Sequence, residues 1–214
     1  MSALLKSVVD GTAPGIVLLQ VDQFHRMLSA GILPKGSAIE LIDGFLIPRE
    51  RATQNNEART TALNARHANL VSQIQALLTR VLTGAEFHVQ AQRAITLGPL
   101  HELIPDLAVI RGATPPTATA TGQPQRVGVA MVIEVADTSL NFVRAVKGRV
   151  YAMAGIPHYL IINLVDGNVE SYSGPDPAQQ RFATGEIINR EGTLTVTTGT
   201  GEPVVLQVRD LLPE

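Results

Sequence analysis

The stretch "MVIEVADTSLNFVRAVKGRVYAMAGIPHYLIIN", residues 131–163, constrains the fold more than any other part of the chain. It opens with apolar residues that do not alternate with polar ones, which is typical of a strand buried on both faces of a sheet. Good helix N-cap residues follow at 137–139, and Gly155 and Pro157 mark the end of that helix. "HYLIIN" then has the composition of a second strand. Together with the elements around it, this strand–helix–strand unit predicts a mixed α/β domain.

Two charged residues interrupt this apolar stretch. Glu134 lies near the end of the first strand, and Lys147 lies on the flank of the helix, roughly 60° from the centre of its apolar face. Each has an ordinary structural explanation when taken alone. Glu134 would be a salt-bridged residue at a strand end, and Lys147 would cover the core with its methylenes while its ammonium reaches water. A helix that packs back over the preceding strand would bring the two charges together.

A third charge, Asp106 in "IPDLAVI", begins another predicted strand. If the two strands are adjacent, the carboxylates of Asp106 and Glu134 lie side by side, with Lys147 facing them. Two neighbouring carboxylates repel each other unless a cation lies between them, and hard oxygen ligands suit Mg²⁺ or Mn²⁺. A lysine beside such an ion can orient or deprotonate an attacking water and stabilise a pentavalent phosphate.

Elements of both types surround the central unit. Before it, "VDQFHRMLSAG" predicts a short helix, "AIELIDGFLIP" a hairpin that turns at Asp43-Gly44, and residues 56–82 a long helix. "EFHVQAQRAITL" and "PDLAVIR" predict one strand each, and "LTVTT" and "PVVLQV" predict short strands near the end of the chain. Residues 113–125, rich in Pro and Thr, predict a loop. We expect an N-terminal extension over 1–20 and a single domain over 21–214, with its core at about 38–173.

The composition excludes several classes of protein. The 214 residues include no cysteine, which rules out disulfides, cysteine nucleophiles and thiolate metal sites. The net charge of −2 does not indicate a globally basic nucleic-acid binder, although a local basic groove remains compatible with it. No run approaches the ~18 apolar residues of a membrane span, and the start of the chain is not that of a signal peptide. We therefore expect a cytoplasmic protein that does not bind membranes.

Seven segments, in order, carry a family resemblance: "FHRMLSAGIL", "IELIDGFLI", "RHANLVSQIQALL", "IPDLAVIRG", "VIEVADTSL", "VKGRVYAMAGIPHYLIIN" and "VESY". The series, from about residue 21 to 172, resembles the Uma2 family of restriction-endonuclease-like proteins (DUF820), within the PD-(D/E)xK nuclease superfamily. The resemblance implies a restriction-endonuclease-like central mixed sheet flanked by helices, here with an N-terminal hairpin and short C-terminal strands. It also implies a metal-dependent endonuclease that hydrolyses DNA.

The resemblance assigns roles to particular residues. Asp106 stands where the family has its metal-binding aspartate, and Glu134 stands where it has its strand glutamate. The backbone carbonyl of Val135 would be a further metal ligand. The superfamily's usual lysine position is Ala136 here, and in Uma2-like chains the lysine moves to the following helix, which selects Lys147 as the catalytic lysine.

Other matched positions leave alternatives open. Glu40 matches an early family glutamate and is either a further acidic ligand or an exposed strand residue beside the hairpin. His67 matches a family histidine in the long helix, where packing or capping is its expected role. Gln90 and Gln92 fall where the family often has a polar strand residue. Val143 replaces an aspartate that the family often carries four residues before the lysine, and this departure puts full activity in question.

Two functions follow from these matches. The first is a Mg²⁺- or Mn²⁺-dependent endonuclease whose catalytic residues are Asp106, Glu134 and Lys147, with DNA as its partner. Because cutting two strands often uses two copies, a homodimer is expected. The second is a catalytically impaired nuclease-like fold that acts as a nucleic-acid-binding or complex-forming module. Val143 and the lack of a net positive charge favour this second function.

Overall fold

A six-stranded sheet carries the fold, and its order places the predicted site residues on neighbouring strands. The computed structural model describes residues 17–33, 38–49, 57–82, 87–112, 128–196 and 203–213. The strands of the sheet, in spatial order, are β10 (Arg181–Asn189), β9 (Asn168–Asp176), β8 (His158–Asn163), β7 (Val129–Ala136), β6 (Leu107–Arg111) and β3 (Phe87–Ala91). Only β7 and β8 pair in parallel among them, as the strand–helix–strand unit requires.

Two smaller antiparallel sheets complete the described strands. The first contains, in spatial order, β2 (Phe45–Pro48), β1 (Ile39–Ile42), β5 (His101–Leu103) and β4 (Ile95–Gly98). The second pairs β11 (Thr193–Val196) with β12 (Val204–Gln207). The predicted hairpin over Asp43-Gly44 is therefore β1–β2.

The described residues form six helical segments. They are α1 (Val21–Ser29), α2 (Glu57–Val81), α3 (Leu140–Phe142), a π-helix (Val143–Lys147), α4 (Gly148–Met153) and a final 3₁₀ turn (Val208–Leu211). We call the continuous run from α3 through the π-helix to α4 the composite helix. Among the described residues, no helix combines the length and the apolar character needed to span a membrane.

Burial of both faces of the six-stranded sheet explains the continuous apolar pattern of β7, whose 8 residues are all buried. On one face, α2 packs its apolar stripe, including Leu70 and Ile74, against Leu107 and Ile133. On the other face, the four-stranded sheet and the composite helix enclose a second apolar cluster around Val132. The mixed α/β architecture predicted from the sequence is confirmed.

The structure corrects two predicted strands. "EFHVQAQRAITL" forms β3 and β4, which belong to different sheets, because Gln92 adopts a positive φ of 50° and donates its N–H to the Asp106 carbonyl. The chain turns at that point from the six-stranded to the four-stranded sheet. "PDLAVIR" begins its strand at Leu107, so Asp106 lies just before β6 rather than on it. The predicted loop over 113–125 and most of the extension over 1–20 lie outside the described residues.

The π-helix corrects the predicted direction of Lys147. In this turn the N–H of Gly148 bonds to the carbonyl of Val143, five residues back, and not four as in an α-helix. The wider turn changes the angle between residues, so a uniform helical wheel misplaces every side chain after it. Lys147 consequently points into the protein and is 3% exposed, where the α-helical spacing predicted the flank of the apolar face.

Tyr159 and Gly148 support this turn. The buried Tyr159 hydroxyl donates a second hydrogen bond, of 2.9 Å, to the Val143 carbonyl. A Cβ on Gly148 would lie 3.3 Å from Cε1 of the Tyr159 ring, so glycine leaves the ring room to approach the helix. Because π-turns satisfy their carbonyls less regularly than α-helices, the tyrosine contributes directly to the local geometry that aims Lys147.

Replacement of Tyr159 by phenylalanine tests this support. Tyr159→Phe keeps the ring and removes only the hydroxyl that bonds to Val143, so we expect a loss of about 1 kcal/mol in the free energy of unfolding. Urea denaturation followed by circular dichroism measures the change. Unaltered stability would show that the hydroxyl does not support the π-helix.

Candidate active site

Three buried carboxylates converge from different parts of the sheets. Glu40 lies on β1, Glu134 lies on β7, and Asp106 immediately precedes β6. The antiparallel register sets Leu107 opposite Ile133, which brings Asp106 beside Glu134. The exposed fractions of Glu40, Asp106 and Glu134 are 1%, 2% and 3%. Buried carboxylates are costly unless they are paired, so their partners determine what this cluster can do.

Lys147 bridges two of the three carboxylates. Its Nζ lies 2.8 Å from Glu40 Oε1 and 2.9 Å from Glu134 Oε1. Burial alone would lower the pKa of the lysine, but the charges of Glu134 and Glu40 raise it above its ordinary value, so the ammonium stays protonated. The explanation in which this ammonium reaches water is wrong. Glu134 is salt-bridged as its ordinary explanation requires, but the bridge is enclosed in the protein.

Glu134 has a further donor in Tyr151, whose hydroxyl lies 2.7 Å from the same oxygen, Oε1. Burial raises the pKa of Glu134 to about 7, and Asp106 and Glu40 add to the effect while Lys147 opposes it. Burial also raises the pKa of Tyr151 well above its usual range, so the phenol remains a donor. Tyr151 was not predicted from the sequence to be a site residue. Its position one helical turn after Lys147 was the available signal, because residues four apart share a helix face.

Glu40 is a member of the cluster and not the exposed strand residue of the alternative explanation. Besides the lysine, it accepts a hydrogen bond of 2.7 Å from the backbone N–H of Ile104. Ile104 lies in the connection between β5 and Asp106. Glu40 therefore fixes both Lys147 and the backbone that leads into Asp106.

Asp106 has three donors of its own. Oδ2 accepts the Val135 N–H at 2.8 Å, and Oδ1 accepts both His67 Nε2 at 2.8 Å and the Arg49 guanidinium. Burial works to raise the pKa of Asp106, but His67, Arg49 and the Val135 amide together lower it below its ordinary value. Because an ionised carboxylate only accepts, His67 Nε2 carries the proton in this bond. His67 thus binds Asp106, where packing or capping was expected, and Arg49 was not anticipated at all.

The backbone of Val135 lies beside Asp106. The role of its carbonyl as a metal ligand stays a prediction. The N–H and C=O of a strand residue point to the same side, and the Val135 N–H already points to Asp106. Gln92 contributes its backbone N–H to the Asp106 carbonyl at 3.0 Å. Gln90 is buried on β3, opposite Ala108 on the neighbouring strand β6.

The donor chemistry of the cluster fits a divalent metal ion. Among the described residues, the three carboxylates face two permanently charged cations, Lys147 and Arg49, so this group carries excess negative charge. Carboxylate oxygens are the ligands that Mg²⁺ and Mn²⁺ prefer. Within the described part of the chain, however, no three His, Asp or Glu side chains stand in an arrangement that could hold a metal ion. Asp106 and Glu134 instead contact Arg49 and Lys147.

At the position four residues before Lys147, where the resemblance leads one to expect an aspartate, the chain has a valine and therefore no carboxylate. Val143 stands at that position and is buried in the apolar cluster on the composite-helix side of the sheet. Its backbone carbonyl carries the two hydrogen bonds of the π-turn. The residue therefore contributes to the placing of Lys147 by its backbone and not by a charge.

Comparisons with known proteins found a family match and a similar solved structure. The profile of the Uma2 family, described as "Putative restriction endonuclease", matches residues 21–201. The chain belongs to the Uma2 family. Among solved structures, this Uma2 chain is similar to the "Crystal structure of a putative nuclease belonging to DUF820 from Anabaena variabilis ATCC 29413", with a TM-score of 0.64 and 16% identity over 90% of this chain and 97% of that chain. At this identity the likeness concerns the fold alone. No curated protein matches the chain.

The ammonium of Lys147 has two carboxylate partners in the Uma2 site. Its removal should therefore change the stability of the chain strongly, and by an amount that depends on pH. Lys147→Met leaves Glu40 and Glu134 buried without their cation, and we expect a loss of about 3–5 kcal/mol in the free energy of unfolding above pH 7. The pKa of Glu134 is already raised in the folded state. The free-energy cost of burying its negative charge therefore applies above that pKa, and it shrinks as the pH falls toward the ordinary glutamate pKa of 4.5. Urea denaturation at pH 5, 7 and 9 measures this slope.

A double variant provides the control. Lys147→Met with Glu134→Gln removes one of the two unpaired charges, so part of the lost stability should return and the pH slope should flatten. If Lys147→Met is equally stable at all three pH values, the ammonium does not compensate the buried carboxylates.

Proposed function

We propose that this Uma2 protein is a divalent-metal-dependent endonuclease that hydrolyses phosphodiester bonds of DNA. One observation carries the proposal. A protonated Lys147 is held by Glu134 and Glu40 beside Asp106, at the end of two adjacent strands. Buried charges of this number and sign are expensive for a purely structural purpose, because apolar residues of similar volume would fill the same space at lower cost. Their retention favours a catalytic role.

Asp106 and Glu134 are the residues that would hold Mg²⁺ or Mn²⁺, with the Val135 carbonyl on the side of Asp106. A bound divalent ion of this kind polarises a phosphoryl oxygen and lowers the pKa of a coordinated water. The residues around the two carboxylates fix their orientation, as Tyr151 does for Glu134 and as His67 and the Val135 amide do for Asp106. Metal-site carboxylates depend on such hydrogen bonds for their geometry.

Lys147 acts in this proposal as a fixed positive charge. Its raised pKa keeps the proton on Nζ, so the lysine would not deprotonate a water. It would instead orient the water and stabilise negative charge on a phosphate. Glu40 is a positioning residue. It contacts the ammonium and the backbone before Asp106, and would act on the reaction only through them.

Cleavage of supercoiled plasmid tests the proposal. Purified protein should cut in the presence of Mg²⁺ or Mn²⁺ and not in the presence of a chelator. Glu134→Gln removes a charge that burial already disfavours, so it should fold normally and lose on the order of 10²–10³ in cleavage rate, a typical effect of losing one positioned electrostatic group. Glu186→Gln, at an exposed position of β10, is the matched control and should cut normally. No metal-dependent cutting on any substrate would overturn the proposal.

A second function remains in competition because of Val143. With an apolar residue buried where the family often has an aspartate, the chain would bind nucleic acid without cutting it. Gel-shift titration over increasing salt separates the two. Salt-sensitive DNA binding without cleavage favours the binding module, since counterion release makes such binding fall steeply with ionic strength. Binding accompanied by cleavage favours the endonuclease.

A further inference from the structure

Arg49 joins the cluster from the same hairpin that carries Glu40. It follows β2 directly, and its backbone N–H bonds to the Ala38 carbonyl at 2.7 Å, which closes the open end of the hairpin. Glu40 pairs with Ile47 across the two strands. The hairpin therefore delivers one carboxylate and one guanidinium to the site, and nothing in the metal-dependent reaction described above uses the guanidinium.

The guanidinium occupies a position where a cation is strongly favoured. It contacts Asp106 Oδ1, and the charges of Glu134 and Glu40 act on it as well. Desolvation by burial works to lower the pKa of Arg49, but these three carboxylates together raise it. Arg49 is thus the protein's own cation beside the acidic group from which Mg²⁺ or Mn²⁺ would take its ligands.

Of the two cations, only Arg49 is placed to leave. Lys147 has two carboxylate partners and its side chain is 4% exposed. Among the described residues, Arg49 has one carboxylate within ion-pair distance, and its side chain is 19% exposed. An arginine side chain with one edge in water can rotate away without unfolding the hairpin, whose backbone bond to Ala38 is independent of the guanidinium. Lys147 could not leave without opening the core.

We infer that the Arg49 guanidinium occupies the cation position at Asp106, and that a divalent metal ion must displace it in order to bind. This inference rests on the proposed metal dependence. The electrostatic reason is the exchange of the single positive charge of Arg49 for the double charge of the metal ion. With Arg49 in place, two cations face three carboxylates. A divalent ion in place of Arg49 supplies the missing charge, so the cluster becomes neutral with Glu134 ionised. The displaced arginine remains tethered to β2 at the edge of the site.

The test is a calorimetric titration of the whole chain with Mn²⁺ alone, in the absence of DNA. A neighbouring arginine changes the proton affinity of a carboxylate by about 10- to 1,000-fold, and a metal ion competes for the same oxygens. We therefore expect Arg49→Met to bind Mn²⁺ at least about tenfold more tightly than the unmodified chain. Arg49→Lys keeps the charge on a less well-matched group and should bind with intermediate affinity. Arg26→Met removes an exposed arginine that is also paired with an aspartate, Asp22, and should bind as the unmodified chain does.

A stability measurement provides a second readout. Without metal, Arg49→Met should melt at a lower temperature than the unmodified chain at pH 8, because Asp106 loses its charge partner. Saturating Mn²⁺ should raise the melting temperature of Arg49→Met more than that of the unmodified chain, since tighter binding gives greater stabilisation by mass action. If Arg49→Met does not fold without metal, the same comparison is made with Arg49→Lys.

The outcomes separate this inference from the proposed function. Equal or weaker Mn²⁺ affinity in Arg49→Met, with binding to the unmodified chain intact, would overturn the displacement of Arg49 and leave the metal-dependent endonuclease standing. No Mn²⁺ binding by any of the variants would overturn the metal site itself, and the inference with it. Tighter Mn²⁺ binding by Arg49→Met, with the affinity of Arg26→Met unchanged, supports both.

Discussion

The sharing of one ammonium between two buried carboxylates is the interaction on which the rest of the site depends. Lys147 connects Glu40 on the four-stranded sheet to Glu134 on the six-stranded sheet, and does so from the composite helix. Three separate parts of the fold are therefore joined by a single charged group. Because the cost of removing each ion from water is offset only by its partners, removal of the ammonium leaves two carboxylates buried and without their cation. Packing and electrostatics are inseparable here.

The position of that ammonium is set by the backbone of the composite helix. The π-turn rotates Lys147 inward, the Tyr159 hydroxyl bonds the Val143 carbonyl within the turn, and Gly148 leaves space for the tyrosine ring. π-turns are uncommon and recur at functional sites, where the altered angle points a side chain that an α-helix would point elsewhere. The local irregularity of the helix thus accounts for the burial of the Lys147 charge.

Asp106 shows the other consequence of a cluster with excess negative charge. It accepts hydrogen bonds from His67, Arg49 and the Val135 amide, all of which favour its ionised form. Such pairing stabilises the folded chain, but it also engages the oxygens that a metal ion would need. Under the proposed metal dependence, these bonds favour the stability of the folded chain at the expense of its affinity for the ion, and Arg49 is the residue inferred to set the balance between the two.

The sequence by itself determined the strand–helix–strand unit, the hairpin and the long helix, because each depends on the periodicity of apolar residues and on turn-forming residues within a short stretch. It also singled out Asp106, Glu134 and Lys147, since charges in apolar segments stand out without a structure. Only the tertiary structure decided that Lys147 turns inward, that Glu40 is buried with it, and that Arg49 and His67 bind Asp106. Those contacts join residues far apart in the chain and depend on a π-turn whose angle no regular helical pattern encodes.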